Sequence, residues 1–352
     1  MIKIDKKLHK KLSYCHYKSL KPLLEKRIES IVHKNTIEIK KKSVPINQAT
    51  SVPINQATKD CLTYIKDNLQ CILLANEEGL KQLIKYFEFN HPCLTTNYKG
   101  IKGKPPIYTI IYNIFVSNGY DNYFSKTHDD KTINKVKSSV EKKYHAYKFI
   151  EQLNIATCPY CNRNYISSIS KKKDGDKKTR PEIDHFYPKA IYPFLACSFY
   201  NLIPSCKTCN HMKSDDDSYR DNLINPYEME EDSFKFSYDL NSVDVLNIEF
   251  SEKYNHKHQK SINIIFDKKV ETNEKYFELE KLYNQEHRDV VIELLVKKSY
   301  YPQSYIEELS RFGFSQDEIY RYLFSNYNQD DDLHKRPLSK LVKDISAELG
   351  LI

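Results

Sequence analysis

The sequence predicts an α+β protein, with mainly helical flanking regions around a small mixed strand–helix core. Three observations carry that expectation. Apolar residues recur at helical spacing on both sides of the chain's centre, as in Leu20, Leu23, Leu24, Ile28 and Ile31. Short segments suited to strands fall inside the centre. Four of the nine cysteines form two Cys-x2-Cys pairs, Cys158/Cys161 and Cys206/Cys209, that bracket those segments.

At 352 residues the chain is long enough for two or three domains and for a hydrophobic core that needs no disulfides. Apolar residues are 40% and charged residues 29%, the balance of a soluble globular protein. No run approaches the roughly 20 apolar residues of a membrane span. The start, MIKIDKKLHKKLSY, is basic but lacks the apolar stretch of a secretory signal, so the expected compartment is the cytoplasm. The formal net charge of +8 is compatible with a phosphate-rich partner. The abundance of Lys, Asn, Ile and Tyr also fits AT-rich coding, so composition alone does not decide the point.

The chain divides into a mainly helical region over 1–153, a core over 154–225, and a C-terminal hairpin-plus-helix region over 226–352. A helix is expected over 17–33. The tandem copies of SVPINQAT at 43–50 and 51–58 contain Pro45 and Pro53 and suggest an exposed loop. Residues 59–90 are expected to be helical. The run at 107–116 suits a buried strand or a short helix, stopped by Asn118-Gly119. Val136, Val140, Tyr144, Tyr147 and Ile150 mark an amphipathic helix ending near Leu153. Phe234, Phe236 and Tyr238 suggest a hairpin within 233–250. Tyr276, Leu279, Tyr283, His287, Val290 and Leu294 share one helical face. Ser315 and Glu318 have capping-box spacing. Leu338 to Leu349 forms a last amphipathic helix.

The two cysteine pairs supply four thiolates, the number that tetrahedral zinc takes. A two-residue spacer lets one tight turn present both sulfurs to one ion. With about forty residues between the pairs, the expected role is a structural Zn2+ stapling the ends of a subdomain. Cys15, Cys61, Cys71, Cys93 and Cys197 are scattered and read as ordinary thiols. Inside the staple, Glu182-Ile183-Asp184-His185-Phe186 should form one strand and Phe199 to Ile203 a second. Cys206 to about Asp216 should form a helix.

Strand, strand and helix, with Asp-His on the first strand, is the layout of a ββα-metal site. These residues resemble the HNH endonuclease family in its four-cysteine zinc form. The resemblance covers roughly sixty residues and rests on the combination of Cys-x2-Cys, Asp184-His185, Asn201-Leu202 and Cys206-x2-Cys209-Asn210-x2-Lys213. It implies that His185 is the general base that activates water. It implies that Asp184 and Asn210 hold a catalytic Mg2+ or Mn2+, and that Asn201 braces the loop carrying the histidine. His211 is an alternative to Asn210, but successive helical residues point about 100° apart, so the two cannot serve equally. Lys189 and Lys213 are candidate phosphate contacts, with solvated surface lysines as the plainer reading. The Lys171–Lys173 and Lys177-Lys178 cluster invites the same two readings.

The implied activity is metal-dependent hydrolysis of phosphodiester bonds, with DNA as the family default. The phrases IDHFYPK and NLIPSC are similar to those of HNH proteins that accompany ATPases in Septu-type anti-phage systems and some retrons. No Walker-type phosphate loop is present, so an ATPase would have to be a separate protein partner. Self-assembly into a homo-oligomer is compatible with the helical flanks. Two other readings stand beside this one: a restriction or mobile-element nuclease, and a non-catalytic zinc module that binds nucleic acid.

Overall fold

Helices and three two-stranded antiparallel sheets make up the computed structural model, which describes residues 1–4, 9–34, 36–39, 50–126, 144–169, 178–230, 233–241, 261–266 and 271–351. The N-terminal region contributes α1 (His9–Lys34), α2 (Gln56–Asp67), α3 (Leu69–Leu74) and α4 (Glu77–Asn90). Leu20, Leu24 and Ile28 on α1 are fully buried, as their spacing requires. Asn55 and Asn76 start α2 and α4 by accepting hydrogen bonds from backbone N–H groups of the first turn. The expected loop around the tandem repeat is replaced at its second half. Strand β1 (Thr36–Ile39) pairs with β2 (Thr50–Pro53), so the junction of the two copies lies in a strand. Residues 43–49 of the first copy fall outside the described residues, as do Val136, Val140 and residues 170–177.

The segment read as a strand or short helix is helical and runs further than expected. It forms α5 (Pro106–Ile111) and continues as a π-helical stretch, Tyr112–Phe124. Asn118-Gly119 does not stop it. Asn118 bonds back to Asn113, and a Cβ on Gly119 would lie 2.8 Å from Cys197 Sγ. Glycine is therefore kept for close approach and not for a turn. Helix α6 (Ala146–Leu153) ends where expected, with Asn154 in the left-handed conformation.

The central segment folds as β3 (Glu182–His185), β4 (Leu202–Ser205) and α7 (Lys207–Lys213). The two strands are antiparallel, with Asp184 opposite Ile203 and His185 opposite Leu202. The second strand lies three residues later than expected. Phe199–Asn201 forms a 3-10 turn instead, closed by Asn201 N bonding to Ser198 O.

The C-terminal region pairs β5 (Phe236–Leu240) with β6 (Ile262–Phe266). The hairpin partner thus comes from beyond 233–250. The single helical face read from Tyr276 onward is divided among α8 (Glu271–Tyr276), α9 (Leu279–Glu286) and α10 (Arg288–Tyr300). Glu278, at φ 46°, makes the first break. Then come α11 (Gln303–Arg311), α12 (Gln316–Phe324) with its Ser315–Glu318 capping box, and α13 (Ser339–Glu348). Among the described residues, no helix is long and apolar enough to cross a membrane.

Buried side chains of all three regions join one hydrophobic cluster. His16 shows how α1 is keyed to the centre. It is fully buried, its Nε2 lies 2.8 Å from Cys197 O, and its Nδ1 lies 3.3 Å from the Tyr144 hydroxyl. A carbonyl oxygen only accepts, so Nε2 carries the proton. Burial lowers the imidazole pKa from 6.5 to about 4, and the bond to Cys197 O only partly opposes that shift. The folded state therefore binds fewer protons than the unfolded state between those values. Stability should be complete above pH 6.5 and fall as the pH drops toward 4, by about 1.4 kcal/mol per pH unit from this group alone. Urea unfolding at several pH values checks this against His16→Gln, which keeps a donor for Cys197 O and should show a flatter acid limb.

Candidate metal centre and active site

The first cysteine pair sits in a tight turn. Asn162 N bonds to Cys158 O at 2.7 Å and Cys158 N to Asn164 O at 2.9 Å. Asn162 takes a left-handed conformation (φ 50°), which asparagine tolerates better than most residues. The second pair opens α7, where Cys206 Sγ accepts from Cys209 N at 3.5 Å. All four sulfurs are buried and lie within 4.8 Å of one another. Zinc–sulfur bonds of about 2.3 Å in a tetrahedron give sulfur–sulfur edges of about 3.8 Å, and Cys161 and Cys206 approach to 4.0 Å. Cys158, Cys161 and Cys206 each also accept a backbone N–H or side-chain amide bond. Burial pushes the Cys158 thiol up, so its thiolate form calls for a cation beside it. The donor set, spacing and environment all fit zinc.

Successive side chains of a strand face opposite ways. On β3 this sends Glu182 and Asp184 toward α7 and His185 toward the N-terminal region. Asp184 is 4% exposed. Its Oδ2 accepts from the Tyr160 hydroxyl at 2.6 Å and its Oδ1 from Lys213 Nζ at 3.3 Å. Tyr160 stands between Cys158 and Cys161, so the zinc turn itself reaches the carboxylate.

Lys213 corrects an expectation. Read from sequence as a phosphate contact, its side chain is completely buried; Nζ bonds to Asp184 and, at 2.9 Å, to His185 O. It serves as an internal counter-ion. Lys189 does reach the surface in part, with Nζ 3.0 Å from Asp121 and over the Tyr120 ring at 4.9 Å. Asn210 faces β3, where its Nδ2 donates to Glu182 Oε2 at 2.5 Å, whereas His211 is exposed.

His185 is 7% exposed and meets the Tyr120 ring edge-on, centroids 4.3 Å apart. Its Nε2 lies 3.1 Å from Ala196 O. That oxygen can only accept, which places the proton on Nε2 and leaves Nδ1 as the basic nitrogen. Burial, reinforced by the positive charges of Lys189 and Lys213, holds the imidazole pKa well below its usual value. Asn201 is fully buried and braces the loop after β3. Its Oδ1 accepts from Tyr187 N at 2.7 Å, and its Nδ2 donates to Tyr187 O and Leu195 O. The same loop ends at Ala196, so Asn201 also fixes the carbonyl that orients His185.

Asp184 and Asn210 offer a carboxylate and an amide oxygen, hard donors suited to Mg2+ or Mn2+. Each carboxylate oxygen of Asp184 keeps a lone pair beyond the bond it already accepts. The residues therefore fit such an ion. Sequence reasoning did not find Glu182, Tyr160 or Tyr120. Glu182 was signalled by the strand period, two residues before Asp184. Tyr120 had no local signal, because it comes from a distant helix.

Two outcomes test this geometry. Metal analysis should find about one zinc per chain, and Cys158→Ser or Cys206→Ser should cost folding as well as zinc, as judged by circular dichroism and metal content. Lys213→Met leaves Asp184 as an uncompensated buried charge and should cost about 3–5 kcal/mol in chemical unfolding. Asp184→Asn in that background should recover much of the loss.

Comparisons add a narrow likeness. No protein-family model matches the chain, and no solved structure matches it. Over 45 residues it is 49% identical to the Septu protein PtuB of Bacillus thuringiensis. That stretch is 13% of this chain and 18% of the relative, so the likeness covers only a small part of either protein.

Proposed function

We propose that this protein is a metal-dependent HNH-type endonuclease that hydrolyses phosphodiester bonds in DNA. The observation that carries the reading is His185 at the end of β3. Its Nε2 proton is committed to Ala196 O, and a neutral Nδ1 is left to take a proton from water. Asp184 precedes it, Asn210 faces the same strand from α7, and the four-cysteine cluster ties the turn bearing Tyr160 to the start of α7.

In the proposed reaction Nδ1 of His185 accepts the proton of the attacking water. The Ala196 carbonyl stabilises the imidazolium that results, because it already holds the opposite N–H. Asn201 keeps that carbonyl and the loop in register with the strand. Asp184 and Asn210 would hold the divalent cation, which supplies charge neutralisation at the scissile phosphate and at the leaving oxygen. Lys189 supplies a partly exposed positive charge beside His185 for the phosphate backbone.

The short likeness to a Septu protein supports placing this nuclease in anti-phage defence. A separate ATPase partner is part of the same proposal, since the sequence carries no Walker-type phosphate loop of its own. The burial of His185 beneath Tyr120 favours a site that opens for substrate or on engagement of that partner.

Plasmid DNA incubated with the zinc-loaded protein and Mg2+ or Mn2+, with and without a candidate ATPase, tests the reading. His185→Ala should lower cleavage by about 10²–10⁴-fold while leaving zinc content unchanged. Cutting that persists undiminished in His185→Ala refutes the assigned base. Binding without cutting by the wild type under every condition favours the non-catalytic module.

A further inference from the structure

Asp184 is the carboxylate that the motif supplies, yet β3 presents a second one on the same face. Glu182 lies two residues earlier, half-buried, and its Oε2 is 2.5 Å from Asn210 Nδ2. Asn210 and Lys213 are one helical turn apart on α7, so both reach this face of β3. They divide the two acids between them: Lys213 bonds to Asp184 and Asn210 bonds to Glu182.

The chemistry of the amide makes the second contact directional. A carboxylate accepts hydrogen bonds, so the end of Asn210 that faces Glu182 must be the NH2 group. The planar amide then holds Oδ1 away from Glu182. A cation binds an amide through its oxygen and is repelled by its NH2 group. Without Glu182 the amide can turn over at little cost and offer the wrong end.

We propose that Glu182 is a positioning residue: it takes the donor end of Asn210, so that Asn210 Oδ1 is presented to the divalent cation shared with Asp184. This rests on the cation reading of the preceding section. Glu182 acts through Asn210, and what matters is its acceptor oxygen.

Binding of Mn2+ alone to the zinc-loaded full-length protein, followed by the electron paramagnetic resonance signal of free Mn2+, tests the proposal without any need for cleavage. Glu182→Ala should weaken Mn2+ binding by about tenfold, the low end for loss of a partner that orients a ligand. Glu182→Gln keeps an acceptor oxygen for Asn210 and should bind within about twofold of wild type, in contrast with the truncation. Asn210→Ala should bind no better than Glu182→Ala, and the double variant no worse than Asn210→Ala, because the two residues act as one unit. Zinc content and thermal unfolding confirm that each variant is folded.

Four results overturn the proposal. Glu182→Gln as weak as Glu182→Ala makes the charge itself the active feature. Substitutions that add in the double variant make Glu182 act independently of Asn210. Glu182→Ala that matches a wild type able to bind Mn2+ removes the inference alone. A wild type that binds no Mn2+, or binds it no more tightly than Asn210→Ala does, removes the cation reading and this inference with it.

Discussion

The close approach of four buried sulfurs is the constraint on which the candidate site depends. Thiolates packed within 4.8 Å repel one another in a low-dielectric interior unless a cation sits among them. Once they are held, two distant chain segments share one reference point. One is the turn that carries Tyr160; the other is the start of α7, which carries Asn210 and Lys213. Strand β3 lies between these segments, and Asp184 on the face toward α7 is gripped from both sides. Asp184 is held by Tyr160 from the zinc turn and by Lys213 from α7. The four-cysteine cluster therefore does more than stabilise the fold: it sets the positions of the groups around Asp184.

The C-terminal region is fastened to the same turn. The Asn162 side chain donates to Leu333 O and accepts from Lys340 N, while Asn162 O accepts from Leu338 N. The Tyr283 hydroxyl donates to Cys161 O at 2.6 Å, and Arg163 reaches Glu286 and His287. These bonds account for the left-handed Asn162, since its conformation aims both its side chain and its carbonyl at the last helices. Residues 154–225 are thus clamped by α9 and the approach to α13 on one side. The opposite side is closed by α1 and the π-helical stretch, through His16 and Tyr120.

What was legible in the sequence was local. Two Cys-x2-Cys pairs, the strand carrying Asp184 and His185, the helix after Cys206 and the Ser315–Glu318 cap each depend on residues within a few positions of one another. What was not legible depends on long-range packing. The hairpin partner of β5 lies at 262–266, and nothing in 233–250 specifies that pairing. Asn118-Gly119 has turn composition, but it lies inside a π-helical stretch, where the absence of a Cβ leaves room for Cys197, 78 positions away. Lys213 has the composition of a surface residue, and only the placement of α7 on β3 shows that it is an internal counter-ion. Glu182 was accessible to period-two reasoning.

The balance of charge inside the site follows from this placement. Glu182 and Asp184 bring two negative charges to one strand face, and Lys213 returns one positive charge. Lys213 neutralises Asp184 directly, whereas Glu182 meets the neutral amide of Asn210. His185 lies outside that pairing, because strand alternation puts its ring on the other face, against Tyr120 and Ala196 O. The Asp184 side and the His185 side of β3 are thereby separated by the strand itself. They can meet only at its end, where His185 is the last residue before the loop that Asn201 braces. On the proposed reading a scissile phosphate would be placed at that end, where the Tyr120 ring already packs edge-on against the imidazole.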